Sequence, residues 1–428
     1  MDEIRIEKGT YECNGLVIPS SKTFEHGIKI SGGWDSGFVS QSDDAAVTVL
    51  DGGAKRIDGI ENREQCEEAG GVWERSLCFQ EEPPDSRILS VSADGSVAIE
   101  GLSFQNGHSS KNGGAIYGNG KVGITNGVFT KNSAYSGGGA VYNSGNITNS
   151  TFSNNSAENG GGGAVSNSGN ITNSTFTNNS AVYGAVYKSG NITNSTFTNN
   201  STRNGGGVYE SGNITNSTFT NNSASKFGGA VSRSGNITNS TFTNNSATTG
   251  GGAVNGLDNI TNSTFINNSA SMFGGAVYFD GDFSITNSTF TKNSATTGGA
   301  IYSQRSGNIT NCTIANNNGG GFYGKGTILN TIFAQNKIGE EANDITSDGD
   351  LHVDYTLVNN ITGGVDLGTH IIMGDPRFVD AENGDFHLRS DSPAIDVGDD
   401  SVVEVEVDLD GNPRIVGGAI DLGAFERQ

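Results

Sequence analysis

The feature that most constrains this chain is an internal repeat of about 23 residues. The repeated unit reads S-G-N-I-T-N-S-T-F-T-N-N-S-A-x-x-x-G-G-A-V-Y and is nearly complete at residues 168–187 and 234–254. A period this short does not fit paired-helix repeats, and Asn, Gly, Ser and Thr are poor helix formers. Short alternating runs of Ile, Phe, Val and Thr instead predict strands.

The spacing of the phenylalanines predicts how these strands pack. Within one coil, Ile171 and Phe176 are expected to point inward, whereas Thr175 and Thr177 point outward. One coil cannot bury its own Phe, but stacked coils with parallel strands about 4.8 Å apart can. Because parallel crossovers are almost always right-handed, we predict an all-β fold, a right-handed single-stranded parallel β-helix like that of pectin lyases. The predicted core ladder consists of Phe129, Phe152, Phe176, Phe197, Phe219, Phe242, Phe265 and Phe290.

The regularity of the sequence changes along the chain and suggests three regions. Residues 1–100 are expected to form an N-terminal cap and irregular first coils, with a charged, Cys-containing insertion at 54–86. Regular coils are expected over 101–335, and the last coils with a C-terminal cap over 336–428. A cap is needed because an open strand edge pairs readily with other chains.

Charge is distributed unevenly and bears on the partners. Residues 101–334 carry 5 acidic and 10 basic side chains, net +5, whereas residues 335–428 carry 21 and 5, net −16. This pattern argues against nucleic-acid binding, which needs concentrated Lys and Arg. No run of about 18 apolar residues predicts a membrane span, and residues 1–5 do not resemble a signal peptide. We expect an extracellular or cell-surface monomer that begins after a removed signal.

The segments G-G-A-[VI]-Y and S-T-F-x-x-N-S-A resemble the repeats of polymorphic outer membrane proteins and of adhesin-like surface proteins of methanogens. The resemblance covers roughly residues 100–335 and implies a surface-exposed β-helix with an adhesin role. The membrane-anchoring β-barrel of the outer-membrane family has no counterpart in this sequence.

Two further resemblances concern the ends of the chain. The segment from Cys66 to Trp73, followed by Cys78, resembles small disulfide loops of secreted bacterial proteins, which implies a Cys66–Cys78 disulfide, with two reduced thiols as the alternative. Residues 375–426 are similar to the choice-of-anchor Q domain that follows bacterial β-helices. The segments that carry this similarity are D-P-R-F-V-D, D-F-H-L, S-P-A-I-D-V-G, D-L-D-G-N-P-R and D-L-G-A-F-E. It implies a cell-surface anchor, which this chain does not contain.

Candidate catalytic and metal-binding chemistry is sparse. Asp408, Asp410 and Asn412 are spaced like a short calcium loop, although a turn explains them equally. No other cofactor is indicated. Parallel β-helices often host polysaccharide lyases and hydrolases, and hydrolysis needs paired carboxylates. The few acidic residues between 140 and 320 do not align at one coil position, so we name no catalytic residue and expect a non-enzyme.

The threonines that flank each core Phe form a regular rank of T-x-T motifs on one face. Three functions follow: an adhesin or structural stalk that binds a glycan or a surface protein, a polysaccharide lyase or hydrolase, or an ice-binding protein that uses the Thr rank. The alternative for the rank itself is that Thr simply favours exposed strand positions. The members of this predicted Thr ladder are Thr151, Thr175, Thr177, Thr196, Thr198, Thr218, Thr220, Thr241, Thr243, Thr264, Thr289 and Thr291.

Overall fold

The protein was analysed as a computed structural model. The structure describes residues 2–7, 9–12, 16–18, 28–34, 48–51, 71–74, 77–80, 86–92, 96–256 and 259–428. These residues fall into two compact units, Met1–Ser189 and Gly190–Gln428. Both units are right-handed parallel β-solenoid with about 23 residues per coil, which confirms the predicted fold class.

Each regular coil passes through three parallel sheets, which we name after their repeated residues. A Val-Tyr strand and an Ile-Thr strand lie in the Ile sheet, Thr-Phe-Thr in the Phe sheet and Ser-Ala in the Ser-Ala sheet. The predicted alternation is confirmed, because Ile171, Phe176 and Val186 are buried while Thr175 and Thr177 are half-buried on the outside.

The strands of the first unit are as follows. The Ile sheet contains Asp2–Glu7, Leu16–Ile18, Ile28–Trp34, Leu89–Val91, Val97–Glu100, Ile116–Tyr117, Val122–Thr125, Val141–Tyr142, Ile147–Thr148, Val165–Ser168, Ile171–Thr172 and Val186–Ser189. The Phe sheet contains Gly9–Glu12, Thr48–Asp51, Ser103–Gln105, Val128–Thr130, Thr151–Ser153 and Thr175–Thr177. The Ser-Ala sheet contains His108–Ser109, Ser133–Ala134, Ser156–Ala157 and Ser180–Tyr183. An antiparallel hairpin joins Gly71–Glu74 and Leu77–Gln80.

The second unit is built from the same three kinds of strand. The Ile sheet contains Ile192–Thr193, Val208–Tyr209, Ile214–Thr215, Val231–Ser232, Ile237–Thr238, Val254–Asn255, Asn259–Thr261, Val277–Phe279, Phe283–Thr286, Ile301–Thr310, Phe322–Leu329, Ile345–Val353, Ile361–Thr362 and Val365–Leu367. The Phe sheet contains Thr196–Thr198, Thr218–Thr220, Thr241–Thr243, Thr264–Ile266, Thr289–Thr291, Thr313–Ala315, Thr331–Ala334, Thr356–Leu357 and Ile371–Ile372. The Ser-Ala sheet contains Ser201–Asn204, Ser223–Phe227, Ser246–Ala247 and Ser269–Ala270. Two antiparallel hairpins, Lys337–Ile338 with Glu341–Ala342 and Phe378–Asp380 with Asp385–Leu388, and a 3₁₀ turn at Asp400–Val402 complete it.

Stacked phenylalanine rings form the core of each unit. In the first unit the rings from Phe104 to Phe176 stack nearly parallel, and Phe129 lies 4.7 Å from Phe152. In the second unit the column from Phe197 to Phe290 has the same geometry, with every ring fully buried. The ring spacing equals the strand spacing, so in-register pairing and aromatic packing reinforce each other.

A second internal column consists of asparagine side chains that follow the Phe sheet. The Asn245 side chain is typical: its Nδ2 donates to the Phe219 carbonyl and to Asn268 Oδ1, each at 3.0 Å. Its Oδ1 accepts from the backbone N and the Nδ2 of Asn222. Each buried amide is thereby satisfied by the neighbouring coils, as burial requires. In the second unit the column runs through Asn200, Asn222, Asn245, Asn268, Asn293, Asn317 and Asn336.

The second-unit column ends on a carboxylate that sequence reasoning did not identify. Asn336 Nδ2 donates to Asp344 Oδ1 at 3.0 Å. The other carboxylate oxygen of Asp344 accepts from the backbone N of Asn359 and of Asn360. This buried acceptor takes the second N–H of the last amide in the chain, whose first N–H donates to the Ile314 carbonyl.

The C-terminal segment lies in a different place from the one expected. We expected residues 375–426 to close the last coil, but their described contacts run along the outer face of the Phe sheet in the second unit. Ala424 N donates to Thr313 Oγ1, and Asn330 exchanges two hydrogen bonds with the backbone of Asp399. Where this segment lies, apolar residues stand at the outward positions that Thr holds in earlier coils. The contact is lined by Ala315, Ile332, Ala334, Leu357, Phe378, Phe386, Leu388, Ala394 and Leu422.

Candidate functional site

The outer face of the Phe sheet carries the T-x-T motifs, which we call the Thr face. Parallel pairing places Thr198 beside Thr220 and Thr220 beside Thr243, so the threonines form in-register columns in the second unit. The members up to residue 264 are exposed or half-buried. Thr289 and Thr291 are only 3% and 4% exposed, because the C-terminal segment covers this part of the face. The prediction that Thr289 and Thr291 belong to an exposed Thr ladder is therefore wrong.

A groove forms where the C-terminal segment meets the Thr face. Its volume is about 700 Å³. Thr241, Thr264 and Thr291 line one side, and Phe386, Asp410 and Phe425 line the other. This combination of hydroxyl groups, aromatic rings and a carboxylate suits a polar organic ligand better than a purely apolar one.

A histidine held between two carboxylates lies beside the groove. Nδ1 of His387 lies 2.6 Å from Asp385 Oδ1, and Nε2 lies 2.7 Å from Asp410 Oδ2. The ring also packs on Phe425, with 4.6 Å between centroids. Burial lowers the pKa of His387, but hydrogen bonds to the two carboxylates outweigh it and raise the pKa above its usual value. The spacing of these residues gave no sequence signal, because His387 lies on the strand Asp385–Leu388 and Asp410 lies in a turn 23 residues later.

The residues predicted to bind calcium make other contacts. Asp408 is buried, and its carboxylate accepts three backbone N–H groups, those of Asp410, Asn412 and Glu426. Asp410 pairs with His387. The two carboxylates therefore have separate structural roles, which favours the turn over the calcium loop. Within the described residues, no three His, Cys, Asp or Glu side chains are grouped as metal ligands.

A buried charged cluster holds the C-terminal segment together. Arg414 is 1% exposed and donates through Nη2 to the Gly423 carbonyl. Its Nε and Nη1 have no hydrogen-bond partner in the described part of the chain. Burial raises the pKa of Glu426 to about 7 and also raises that of Asp421. The charges of the D-L-D-G-N-P-R and D-L-G-A-F-E segments thus serve folding of this segment.

An aromatic strip lies on the outer side of the Ile sheet in the second unit. Tyr278, Tyr302 and Tyr323 stack in neighbouring coils with centroids 5.4 and 4.9 Å apart. Burial and then the adjacent tyrosine raise the pKa of both Tyr278 and Tyr302. The rings cover one another's faces, which makes this strip a stacking element rather than an open platform.

The cysteine predictions have different outcomes. Cys66 lies outside the described residues, so the Cys66–Cys78 disulfide remains a prediction. Cys312 is a buried free thiol, as expected, and burial raises its pKa to about 12. It occupies the position that Ser288 and Ser263 hold in preceding coils, where each Oγ bonds the carbonyl two residues earlier.

Comparisons with known proteins agree with the fold. The family described as a right-handed beta helix region matches residues 186–338, and the Chlamydia polymorphic membrane protein repeat matches residues 126–144. No curated protein matches the chain at a significant level. Within the described residues, no helix is long and apolar enough to cross a membrane.

The similar solved structures are distant. Pectate lyase Pel9A is 14% identical over 100% of this chain and 88% of that chain, with a TM-score of 0.31. A mannuronic acid specific polysaccharide family 6 lyase from human gut microbiota is 9% identical over 87% and 77%, with a TM-score of 0.31. The Azotobacter vinelandii mannuronan C-5 epimerase AlgE6 A-module is 13% identical over 87% and 91%, with a TM-score of 0.30. The chain is therefore a right-handed parallel β-solenoid that carries a repeat similar to those of chlamydial polymorphic membrane proteins.

Proposed function

We propose that this protein is a non-enzymatic, surface-associated β-solenoid that binds an extended glycan or a surface protein along its Thr face. The observation that carries the proposal is the in-register repetition of half-buried, outward-facing threonines in the second unit, Thr198 beside Thr220 and Thr220 beside Thr243. Such a face offers the same hydroxyl and methyl groups in each coil, which suits a repetitive polymer. The polymorphic membrane protein repeat supports a location at the cell surface or outer membrane.

The internal columns make this face rigid. Every threonine on it flanks a buried Phe, and the next turn holds a buried Asn that bonds both neighbouring coils. A rigid array loses little conformational entropy when a ligand binds, because its side chains are already positioned. The same uniformity argues against catalysis, which needs a few distinct groups in a defined arrangement.

A matched pair of triple variants tests the proposal. Thr198, Thr220 and Thr243 are changed to Val, which removes hydroxyl groups at nearly constant volume. The control changes Thr193, Thr215 and Thr238 on the Ile sheet, which are equally half-buried and equally in register. Binding is measured on a glycan array and on whole cells. We expect at least a tenfold loss for the first variant and less than a twofold change for the control.

Two results would contradict the proposal. Equal loss in both triple variants would show that the Thr face has no special role. Release of unsaturated or reducing ends from polygalacturonate or alginate, with or without calcium, would show that the protein is an enzyme. Antibody labelling of intact cells tests the surface location separately.

Ice binding is a second candidate, and the same in-register threonines favour it. The columns continue from Thr218 through Thr241 to Thr264 with one residue per coil. If the face binds ice, the purified protein should show thermal hysteresis and shape ice crystals, and the Thr198, Thr220 and Thr243 triple variant should lose both effects. Absence of both effects in the unmodified protein removes this candidate.

A further inference from the structure

We propose that the groove between the Thr face and the C-terminal segment binds a short stretch of a neutral oligosaccharide. This inference rests on the proposed function, because it names the ligand class of a site on the same face. The groove measures about 700 Å³, within the roughly 300–1,000 Å³ of small-molecule sites.

The first argument is an unpaired hydroxyl group in the groove. Thr291 is 4% exposed, and its Oγ1 has no hydrogen-bond partner within the described residues. Thr291 also lines the groove. A buried hydroxyl without a partner is costly, and such groups normally bond to protein, water or ligand. By contrast, the neighbouring Thr289 Oγ1 donates to Thr264 Oγ1 at 3.3 Å. The wall of the groove therefore contains one buried hydroxyl group whose hydrogen bond no described residue supplies.

The second argument is the composition of the facing wall. Phe386 and Phe425 supply aromatic surface, and Asp410 supplies carboxylate oxygens. Asp410 Oδ2 is held by His387 at 2.7 Å, which fixes the carboxylate without occupying Oδ1. Sugars present apolar C–H faces that pack on aromatic rings and hydroxyl groups that donate to carboxylates. The wall and the Thr291 hydroxyl together match both kinds of surface.

The third argument is charge, which favours a neutral sugar over a uronate. Lys292, the cation in the lining, donates to the Glu382 carbonyl at 2.7 Å. Asp408 is saturated by backbone N–H groups, and Asp410 is paired with His387. The C-terminal segment, residues 375–426, supplies the facing wall and carries 14 acidic and 3 basic side chains, net −11. This field repels polyanions such as pectate and alginate.

The experiment is titration calorimetry of the full chain with short neutral oligosaccharides. The probes are tetramers of glucose, mannose, xylose and galactose, with tetragalacturonate as the anionic comparison. Thr291→Val removes the unpaired hydroxyl at nearly constant volume, and Phe425→Leu removes the aromatic ring. The control is Thr215→Val on the Ile sheet, which neither belongs to the Thr face nor lines the groove. Thr220→Val, in the same column of the Thr face as Thr291, reports binding to the open part of that face.

We expect at least one neutral tetramer to bind and tetragalacturonate not to bind. Thr291→Val and Phe425→Leu should each weaken that binding at least tenfold, and the control Thr215→Val less than twofold. Thr291→Val should also raise the midpoint of thermal unfolding, because it removes a buried unsatisfied group, so loss of binding cannot be ascribed to misfolding.

Three outcomes would overturn the inference. If Thr291→Val leaves binding unchanged, the groove holds only water at that hydroxyl. If Thr220→Val weakens binding as much as Thr291→Val, the sugar lies on the exposed Thr face, and the proposed function stands without the groove. Preference for tetragalacturonate would show that the ligand class is wrong. If no sugar binds and the whole-cell assay is also negative, both the groove and the proposed function fail.

Discussion

Removal of one amide from the asparagine column should destabilise the solenoid far more than removal of an exposed corner amide. The perturbation is Asn245→Ala. In the structure Asn245 is fully buried and makes four side-chain hydrogen bonds, two as donor and two as acceptor.

The magnitude follows from the groups that lose a partner. The Asn245→Ala variant lacks the hydrogen bond from the Asn222 backbone N–H and the hydrogen bond to the Phe219 carbonyl. Asn222 Nδ2 also loses one of two acceptors but keeps the carbonyl of Phe197. A buried group left unsatisfied costs roughly 1–3 kcal/mol. The Asn222 N–H is one such group, whereas the Phe219 carbonyl stays in the parallel ladder with Thr241–Thr243. With smaller terms for the Phe219 carbonyl, Asn222 Nδ2 and the cavity, we expect a loss of about 2–4 kcal/mol in the free energy of unfolding.

The assay is guanidinium unfolding followed by far-ultraviolet circular dichroism, together with hydrogen exchange at the Asn222 amide. The control is Asn221→Gly. Asn221 is exposed and has a φ of +55°, which Gly also adopts readily. We expect the control to change the free energy of unfolding by less than about 0.5 kcal/mol. A loss below about 1 kcal/mol for Asn245→Ala, or unchanged exchange at Asn222, would refute the reasoning.

Three further predictions test other parts of the structure. Gly229→Ala should clearly lower the midpoint of thermal unfolding, because a Cβ at Gly229 would lie 2.0 Å from the carbonyl oxygen of Gly252. The control is Gly281→Ala, since nothing lies within 4 Å of a Cβ at that position. Equal midpoints for the two variants would contradict this packing. Cys312→Ser should change the free energy of unfolding by less than about 1 kcal/mol, because Ser holds this position in neighbouring coils. The native Cys312 thiol should resist thiol reagents at pH 8, because its pKa is raised to about 12. Attachment of the C-terminal segment should weaken as pH rises. In the folded protein the pKa of Glu426 and that of His387 lie above the ordinary 4.5 and 6.5. The stability that each group contributes is therefore full at low pH. It is lost as pH rises, from about 4.5 to 7 for Glu426 and above 6.5 for His387. Limited proteolysis between pH 4.5 and 8.5 should show increasing cleavage after residue 375, and Glu426→Gln should remove the part of this change below pH 7.

The fold followed from the sequence because a solenoid depends on nearest-neighbour contacts between coils. The recurrence of Phe and Ile in every coil predicted the inward-facing residues and the stacking of parallel strands, and the structure confirms both. The sequence also shows that Cys312 replaces a Ser of the repeat, and that Ile332 and Ala334 stand where earlier coils have Thr. Their meaning became clear only when neighbouring coils and the C-terminal segment were seen together.

The candidate site did not follow from the sequence, because its residues meet through contacts that no period records. Thr291 and Asp410 lie on different elements, and only folding of the C-terminal segment across the outer face of the Phe sheet brings them to one groove. Sequence pattern alone determined the solenoid, since each coil repeats the same short-range packing. Tertiary structure alone decided which part of the Thr face stays open, since that depends on where a non-repetitive segment buries its apolar side chains.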